Sequence, residues 1–237
     1  MDRTSYDSET AAPRRAADVV DGADLLVFDF DGTLADSEAL LTEMVLDTFA
    51  EAGLPAGLGR RDVARLIGLP LAEVLARTGD VPPSRLDELV ALYRRRADSD
   101  AIIARFRLFP GVLTTLSSLR RNGKNLAIAT SKSRRITLKI LAAVGLDELI
   151  GTVVGGDSVV RGKPHPEMIG RVLAEAGSEP ERAVVVGDTT FDIEMGQAAD
   201  VATIAVTYGM HTRAELAALR PDALIDAIGE LEDGSMF

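Results

Sequence analysis

From Pro110 onwards, short apolar runs alternate with stretches of helical spacing, and no other feature of the chain narrows its fold so far. The runs are Leu126–Thr130, Thr152–Val154, Ala183–Gly187 and Ala202–Val206. Between and after them, 111–121, 133–144, 165–176, 191–198 and 213–218 carry the period of an amphipathic helix, and a short strand and helix close the chain. Strands that alternate with helices lie parallel in a doubly wound α/β sheet, since a parallel crossover needs a covering element of helix length. One more stretch, Leu25–Leu34, has five of its first six residues apolar, as expected of a strand covered on both faces.

Between that first strand and Pro110 the pattern differs. Leu41, Met44, Val45 and Phe49 fall at helical spacing within 38–52, which ends at Gly53 before Pro55. Segments 60–67, 71–77 and 84–104 continue as helices, broken by Gly68-Leu69-Pro70 and by Gly79 to Pro83, with no strand among them. The expected organisation is an α/β core built from 23–36 and 105–237, interrupted by an all-helical segment, 37–104. Residues 1–22 are polar and charged without an apolar core of signal-peptide length, and read as a flexible tail.

Composition bounds the function. With 237 residues, 46% of them hydrophobic, the chain can bury one generous core or two modest ones. A net charge of −11 argues against a nucleic-acid partner, because phosphate backbones are held by surplus Lys and Arg. Without cysteine there are no disulfides, thiolate metal sites or thiol nucleophiles, which agrees with a reducing cytoplasm. No uncharged run is long enough to span a bilayer. The expectation is a cytoplasmic monomer or homodimer with no membrane partner.

Ligands of parallel sheets collect at the carboxyl ends of the strands, and four strand ends here carry polar groups. The first strand runs into Asp29-Phe30-Asp31-Gly32-Thr33. A period of two sends both carboxylates to one side if the backbone stays extended, toward one cation or one phosphorus, and Gly32 permits a tight turn. The second offers the Thr130 hydroxyl and then Ser131 and the N–H groups of a helix start, a cradle for phosphate or an ordinary N-cap. The third holds Lys163, one of only four lysines, between Gly162 and Pro164, where it is either a solvated charge or a partner for a non-bridging phosphate oxygen. His165, between two prolines, reads as a plain loop residue. The fourth ends in Asp188 and Asp192. Asp188 can share a hard cation with Asp29, and Asp192 can orient Lys163 or the outer metal shell; alternatively the pair is an N-cap with a first-turn acid. Each bland alternative is reasonable alone, but four together at one sheet edge are a poor account of the pattern.

These segments, in this order, resemble the haloacid dehalogenase superfamily of phosphatases, whose pattern Asp-x-Asp-x-Thr, Ser/Thr, Lys, then Gly-Asp-x-x-x-Asp is matched throughout roughly 24–232. Arg65 to Leu71 and Thr203 to Gly209 are most similar to the phosphoglycolate phosphatase-like branch. The resemblance implies a Rossmann-like core, with 37–104 as a first-position cap, and Mg²⁺ as cofactor. It implies Asp29 as the nucleophile that forms an aspartyl-phosphate, and Asp31 as the acid that protonates the leaving oxygen and then activates water. Asp29, the backbone carbonyl of Asp31, and Asp188 would hold Mg²⁺; Thr130, Ser131 and Lys163 would bind the phosphoryl group, with Asp192 in support. The implied activity is hydrolysis of the phosphate monoester of a small soluble metabolite. Arg65 and the Gly68–Leu71 loop are candidate cap contacts, or else a helix connection packed by Leu69 and Leu71.

Competing activities separate on single residues. Dehalogenases lack the second acid that Asp31 supplies, and the phosphonate hydrolases use a cap lysine where this chain has no Lys before Lys124. A β-phosphoglucomutase-like sugar phosphomutase and a pyrophosphatase share the core residues and stay open. A response-regulator receiver is shorter and carries its acceptor Asp on a middle strand. A catalytically silent phosphate-binding or scaffold member predicts loss of a core residue, and none is lost.

Overall fold

The computed structural model describes residues 14–232. In chain order the elements are α1 (Ala16–Asp21), β1 (Leu25–Phe28), α2 (Glu38–Glu51), α3 (Arg60–Ala64), α4 (Leu71–Thr78), α5 (Pro83–Ala97), α6 (Asp100–Ile103), α7 (Val112–Arg121), β2 (Asn125–Thr130), α8 (Arg134–Val144) and β3 (Thr152–Gly155). They continue with α9 (Glu167–Ala176), β4 (Ala183–Gly187), α10 (Thr190–Ala198), β5 (Ala202–Val206), α11 (Arg213–Ala218) and β6 (Ala223–Ile225).

The strands form one six-stranded parallel sheet in the order β3-β2-β1-β4-β5-β6, which is the doubly wound order 3-2-1-4-5-6. Strand period explains the two-sided burial. Leu26 and Phe28 of β1 pack with Leu126, Ile128, Val184 and Val186 in the cluster on one face. Leu25 and Val27 pack with Ala127, Ala129, Ala183 and Val185 on the other. All four β1 side chains are buried, each worth roughly 1.5–3 kcal/mol of transfer free energy for a residue of this kind.

Helices α2–α6 lie between β1 and β2 in sequence and contribute no strand to the sheet. Val45, Phe49, Val63, Leu66, Leu69, Val74, Leu75 and Leu89 close a separate apolar cluster among them. The single helix expected over 84–104 is two: the chain breaks at Asp98, and Ser99 then caps α6 by accepting from the Ile102 N–H at 3.4 Å.

Two expectations need correction. The flexible tail expected over 1–22 gives way to a helix at Ala16–Asp21, with Ala16, Ala17, Val19 and Val20 buried; residues 1–13 lie outside the described ones. The cause is satisfaction of the helix end. Lys124 Nζ donates to the carbonyls of Val20 (2.8 Å), Asp21 (3.2 Å) and Ala23 (2.7 Å), where the helix dipole favours a cation. The closing helix is instead a short 3₁₀ turn, Ile228–Leu231, which packs Ile228 and Leu231 into the core. Among the described residues, no helix is long and apolar enough to cross a membrane.

Candidate active site

β1 pairs with β2 on one side and β4 on the other, so the residues that follow the three strands meet at the middle of the sheet edge. This is the point where the direction of strand succession reverses, the usual ligand position of such sheets. The Asp29 N–H donates to the Val186 carbonyl at 2.9 Å, carrying the ladder one residue past β1. The chain then turns: the Leu34 and Ala35 N–H groups both return to the Phe30 carbonyl, at 3.0 and 2.8 Å. Gly32 sits at φ 86° within this turn, and a Cβ there would lie 2.2 Å from Asp188 Oδ2, so only glycine lets the turn approach that carboxylate.

The two lead acids have different partners. Asp29 Oδ1 accepts from Lys163 Nζ at 2.6 Å. Asp31 Oδ1 accepts from the Ser37 hydroxyl at 2.8 Å, and its Oδ2 lies 3.2 Å from Lys132 Nζ. Lys132 in turn stands 5.2 Å over the Phe106 ring.

Lys163 is buried and also donates to Asp192 Oδ1 at 2.6 Å. The peptide that joins it to Pro164 is cis. The other oxygen of Asp192 accepts from the Thr189 N–H (3.0 Å) and hydroxyl (2.6 Å), closing a capping box on α10. Capping and lysine placement are therefore not alternatives, because Asp192 does each with a different oxygen. Among the described residues, Asp188 has no such cation. Its Oδ1 accepts from the Thr33 hydroxyl and its Oδ2 from the Met210 N–H, both at 2.8 Å.

Carboxylate oxygens from Asp29, Asp188 and Asp192 all lie within 4.8 Å of one another, with all three residues buried. Their electrostatics follow from crowding. Burial pushes Asp29 up to about 7; Lys163 opposes the rise, while Asp192 and Asp31 add to it. Burial, then Asp192 and Asp29, raise Asp188 well above the ordinary carboxylate range despite the Met210 and Thr33 hydrogen bonds. For Lys163, burial acts downward but the two aspartates more than reverse it, so it stays charged. The cluster is short of positive charge and offers only oxygen donors, which is the donor set of a hard divalent cation.

A cavity of about 250 Å³ opens above this cluster, with Asp29, Asp31, Thr130 and Ser131 in its wall. Lys163, Asp188 and Asp192 are buried behind that wall. Thr130 Oγ1 accepts from the Lys132 N–H at 3.3 Å, whereas the Ser131 hydroxyl donates to the Gly68 carbonyl at 2.6 Å and so ties the sheet edge to the helical segment. The Gly68–Leu71 loop lines the cavity. Arg65 turns away: it pairs with Glu215 of α11, and its carbonyl meets His211 Nε2 at 3.2 Å. His165 Nδ1 accepts from the Glu167 N–H at 3.1 Å, an ordinary loop contact. Sequence reasoning missed Ser37, Lys132 and the Met210 N–H. A second lysine two residues past Thr130, in a chain with only four, is the signal that pointed to one of them.

The profile of the family described as haloacid dehalogenase-like hydrolase matches residues 26–206. The chain is 33% identical over 210 residues to Pyrophosphatase PpaX of Halalkalibacterium halodurans, covering 88% of this chain and 94% of that one. It is 34% identical over 216 residues to Phosphoglycolate phosphatase 1 of Pseudomonas aeruginosa, covering 87% and 78%. Among solved structures, one described as a haloacid dehalogenase-like hydrolase of Bacteroides fragilis superposes with a TM-score of 0.83 at 30% identity, over 88% of this chain and 99% of that one. The chain belongs to the haloacid dehalogenase-like hydrolases. Within them it is a phosphatase, an enzyme that acts on phosphate esters. Phosphatases of this family are generally metal-dependent, and a buried aspartate cluster that could hold a metal ion is present.

Proposed function

We propose that the protein is a Mg²⁺-dependent phosphomonoesterase that hydrolyses a small soluble phosphorylated metabolite through a phosphoryl group carried on Asp29. The observation that carries this reading is the convergence of Asp29, Asp188, Asp192 and Lys163 behind a cavity whose wall also holds Asp31. Asp29, Asp188 and the backbone carbonyl of Asp31 would hold Mg²⁺, which offsets the charge deficit of the cluster and of the phosphoryl oxygens. The Asp29 carboxylate attacks phosphorus, and the bond from phosphorus to the leaving oxygen breaks as Asp31 gives that oxygen its proton. Water then attacks the same phosphorus, Asp31 takes the water's proton, and the bond to Asp29 breaks, releasing phosphate and restoring both acids.

Ser37 and Lys132 hold the two oxygens of Asp31 for this work. The Thr130 hydroxyl and the Ser131 backbone N–H present donors to the non-bridging oxygens, the Ser131 hydroxyl being spent on the Gly68 carbonyl. Lys163 has two of its three N–H bonds engaged by Asp29 and Asp192, leaving the third for the substrate. The helical segment 37–104 acts as a cap over the core formed by 23–36 and 105–237, closing the site from water. A second reading, pyrophosphate hydrolysis, is favoured by the relative named a pyrophosphatase.

The test is hydrolysis of 4-nitrophenyl phosphate by the purified protein with and without Mg²⁺. Wild type is expected to work only with the cation. Asp29→Asn is expected to lose at least about a thousandfold in kcat with an unchanged circular-dichroism spectrum. Near-full activity in that variant would overturn the mechanism.

A further inference from the structure

Beyond Asp29, Asp31 and Thr130 the cavity changes chemistry. Its far wall comes from the helical segment, with Leu69 in the loop, Leu71 and Val74 on α4, and Val90 and Tyr93 on α5. Leu71, Val90 and Tyr93 are only partly buried, so part of their apolar surface faces the cavity instead of being consumed by packing. The same character continues to the mouth, where Val160 also lines the cavity and is 93% exposed. An isolated exposed valine is unremarkable, but one continuous with a cavity wall extends a binding surface.

The charges in the chamber are mostly engaged. Lys132 lies against Asp31 at 3.2 Å, and Asp157 Oδ1 accepts the Arg134 N–H at 2.8 Å. Arg94 is exposed at the rim, where solvent screens it. A carboxylate or second phosphate on the leaving group would therefore lose its hydration against leucine and valine, with Lys132, the part-buried cation of the wall, already paired with Asp31. An apolar body would instead remove both its own surface and that wall from water. The 250 Å³ available falls just under the range of about 300–1,000 Å³ typical of small-molecule pockets, which suits a metabolite-sized group.

We propose that the leaving group is an uncharged, predominantly apolar alcohol, so that the preferred substrates are arylalkyl or alkyl phosphates and not phosphorylated acids, polyols or pyrophosphate. This rests on the phosphatase reading above and adds the substrate class to it. Tyr93 supplies the one neutral polar group of the far wall, able to accept or donate a hydrogen bond.

The experiment compares kcat/KM with Mg²⁺ for benzyl phosphate and hexyl phosphate against phosphoglycolate, glycerol 3-phosphate and pyrophosphate. The four organic substrates are esters of primary alcohols, which limits differences in intrinsic reactivity. Expected is a preference of at least about tenfold for the apolar esters, the scale on which apolar pockets discriminate. Val90→Arg and, on the neighbouring helix, Leu71→Arg should each reduce that preference and raise relative activity on phosphoglycolate. Two variants guard against one that fails to fold. Preference for phosphoglycolate or pyrophosphate by wild type would overturn the inference and leave the phosphatase reading intact. No turnover of any ester would overturn the phosphatase reading. Calorimetric binding of benzylphosphonate against phosphonoacetate would then still decide the pocket's preference, equal or reversed affinity overturning it.

Discussion

Lys163 is the only side-chain cation bonded to a cluster of three buried aspartates among the described residues, and its replacement by methionine tests the electrostatics of the whole site. Methionine keeps the length and apolar stem of lysine while removing the charge. Breaking a buried ion pair by deleting one partner leaves the other charge uncompensated and costs about 3–5 kcal/mol. For a chain of this size each kcal/mol moves Tm by about 2–4 °C, so Lys163→Met should melt roughly 6–20 °C below wild type at pH 8 in EDTA.

The pH dependence is the sharper part. Asp29 has an ordinary value of 3.8 and is raised to about 7 in the folded protein, principally by burial and against the pull of Lys163. A carboxyl raised by folding binds more protons folded than unfolded, so it costs stability as pH climbs from about 4 to about 7. Removing Lys163 takes away the opposing attraction and steepens that fall. The gap between wild type and Lys163→Met should therefore be small at pH 5, where Asp29 holds its proton, and largest at pH 8. Thermal unfolding followed by circular dichroism at pH 5, 6, 7 and 8 measures it, with Asp192→Asn added to close a double-mutant cycle. A loss under about 1 kcal/mol, or one that does not vary with pH, would refute the charge-deficit account, since a packing defect carries no such slope.

Asp31→Asn should keep the Ser37 hydrogen bond and the fold, yet lower kcat by roughly 10²–10⁴ for an alkyl phosphate and less for 4-nitrophenyl phosphate, whose leaving group needs no proton; equal losses on both would count against an acid role. Asp188→Asn removes one of the crowded charges while Thr33 and Met210 can still bond the amide, because a hydroxyl accepts as well as donates. That variant should be at least as stable as wild type at pH 8 in EDTA by thermal melt, but inactive and unresponsive to Mg²⁺. Gly32→Ala places a Cβ 2.2 Å from Asp188 Oδ2 at φ 86°, so it should raise the Mg²⁺ concentration needed for half-maximal activity and lower stability by more than about 1 kcal/mol; unchanged metal dependence would show that the turn has room the geometry denies.

The sheet was legible because its strands are short, apolar and bounded by Gly, Asp or Thr, and their positions follow from local pattern alone. The helix at Ala16–Asp21 was not, although Ala16, Val19 and Val20 fall at helical spacing. Its six residues are too few to hold a helix by themselves, and the lysine that satisfies its last carbonyls lies 103 residues away from Asp21. The acids were legible for a related reason: each follows shortly after a strand's carboxyl end, and parallel topology carries strand ends to one edge whatever their order. What a one-dimensional pattern cannot show is which oxygen meets which partner. Asp192 could be read as a first-turn acid or as a lysine partner, and only the folded geometry shows it closing a capping box with Oδ2 while Oδ1 holds the lysine. Ser37 was invisible because it stands at no strand end and reaches Asp31 only after the chain has turned at Gly32, and Lys132 showed only as a second lysine past Thr130, with nothing in the pattern to pair it with Asp31.

The charge of the whole molecule adds one constraint on how a phosphate ester is recognised. At a net −11 the long-range field repels a dianion, so a surplus of surface cations does not speed encounter as it does for basic proteins. At physiological salt that field fades over about 8 Å, which leaves recognition to contacts made inside the cavity. There the proposed phosphoryl contacts are Thr130 and Ser131 in the wall, with Lys163 buried behind them and already held by two aspartates, an arrangement that would serve charge developing during the reaction better than it draws charge in from solvent. The remaining affinity must come from the other end of the substrate. In this chain that end faces Leu69, Leu71, Val74 and Val90, so the same acidity that rules out electrostatic capture makes the apolar wall the main source of ground-state binding.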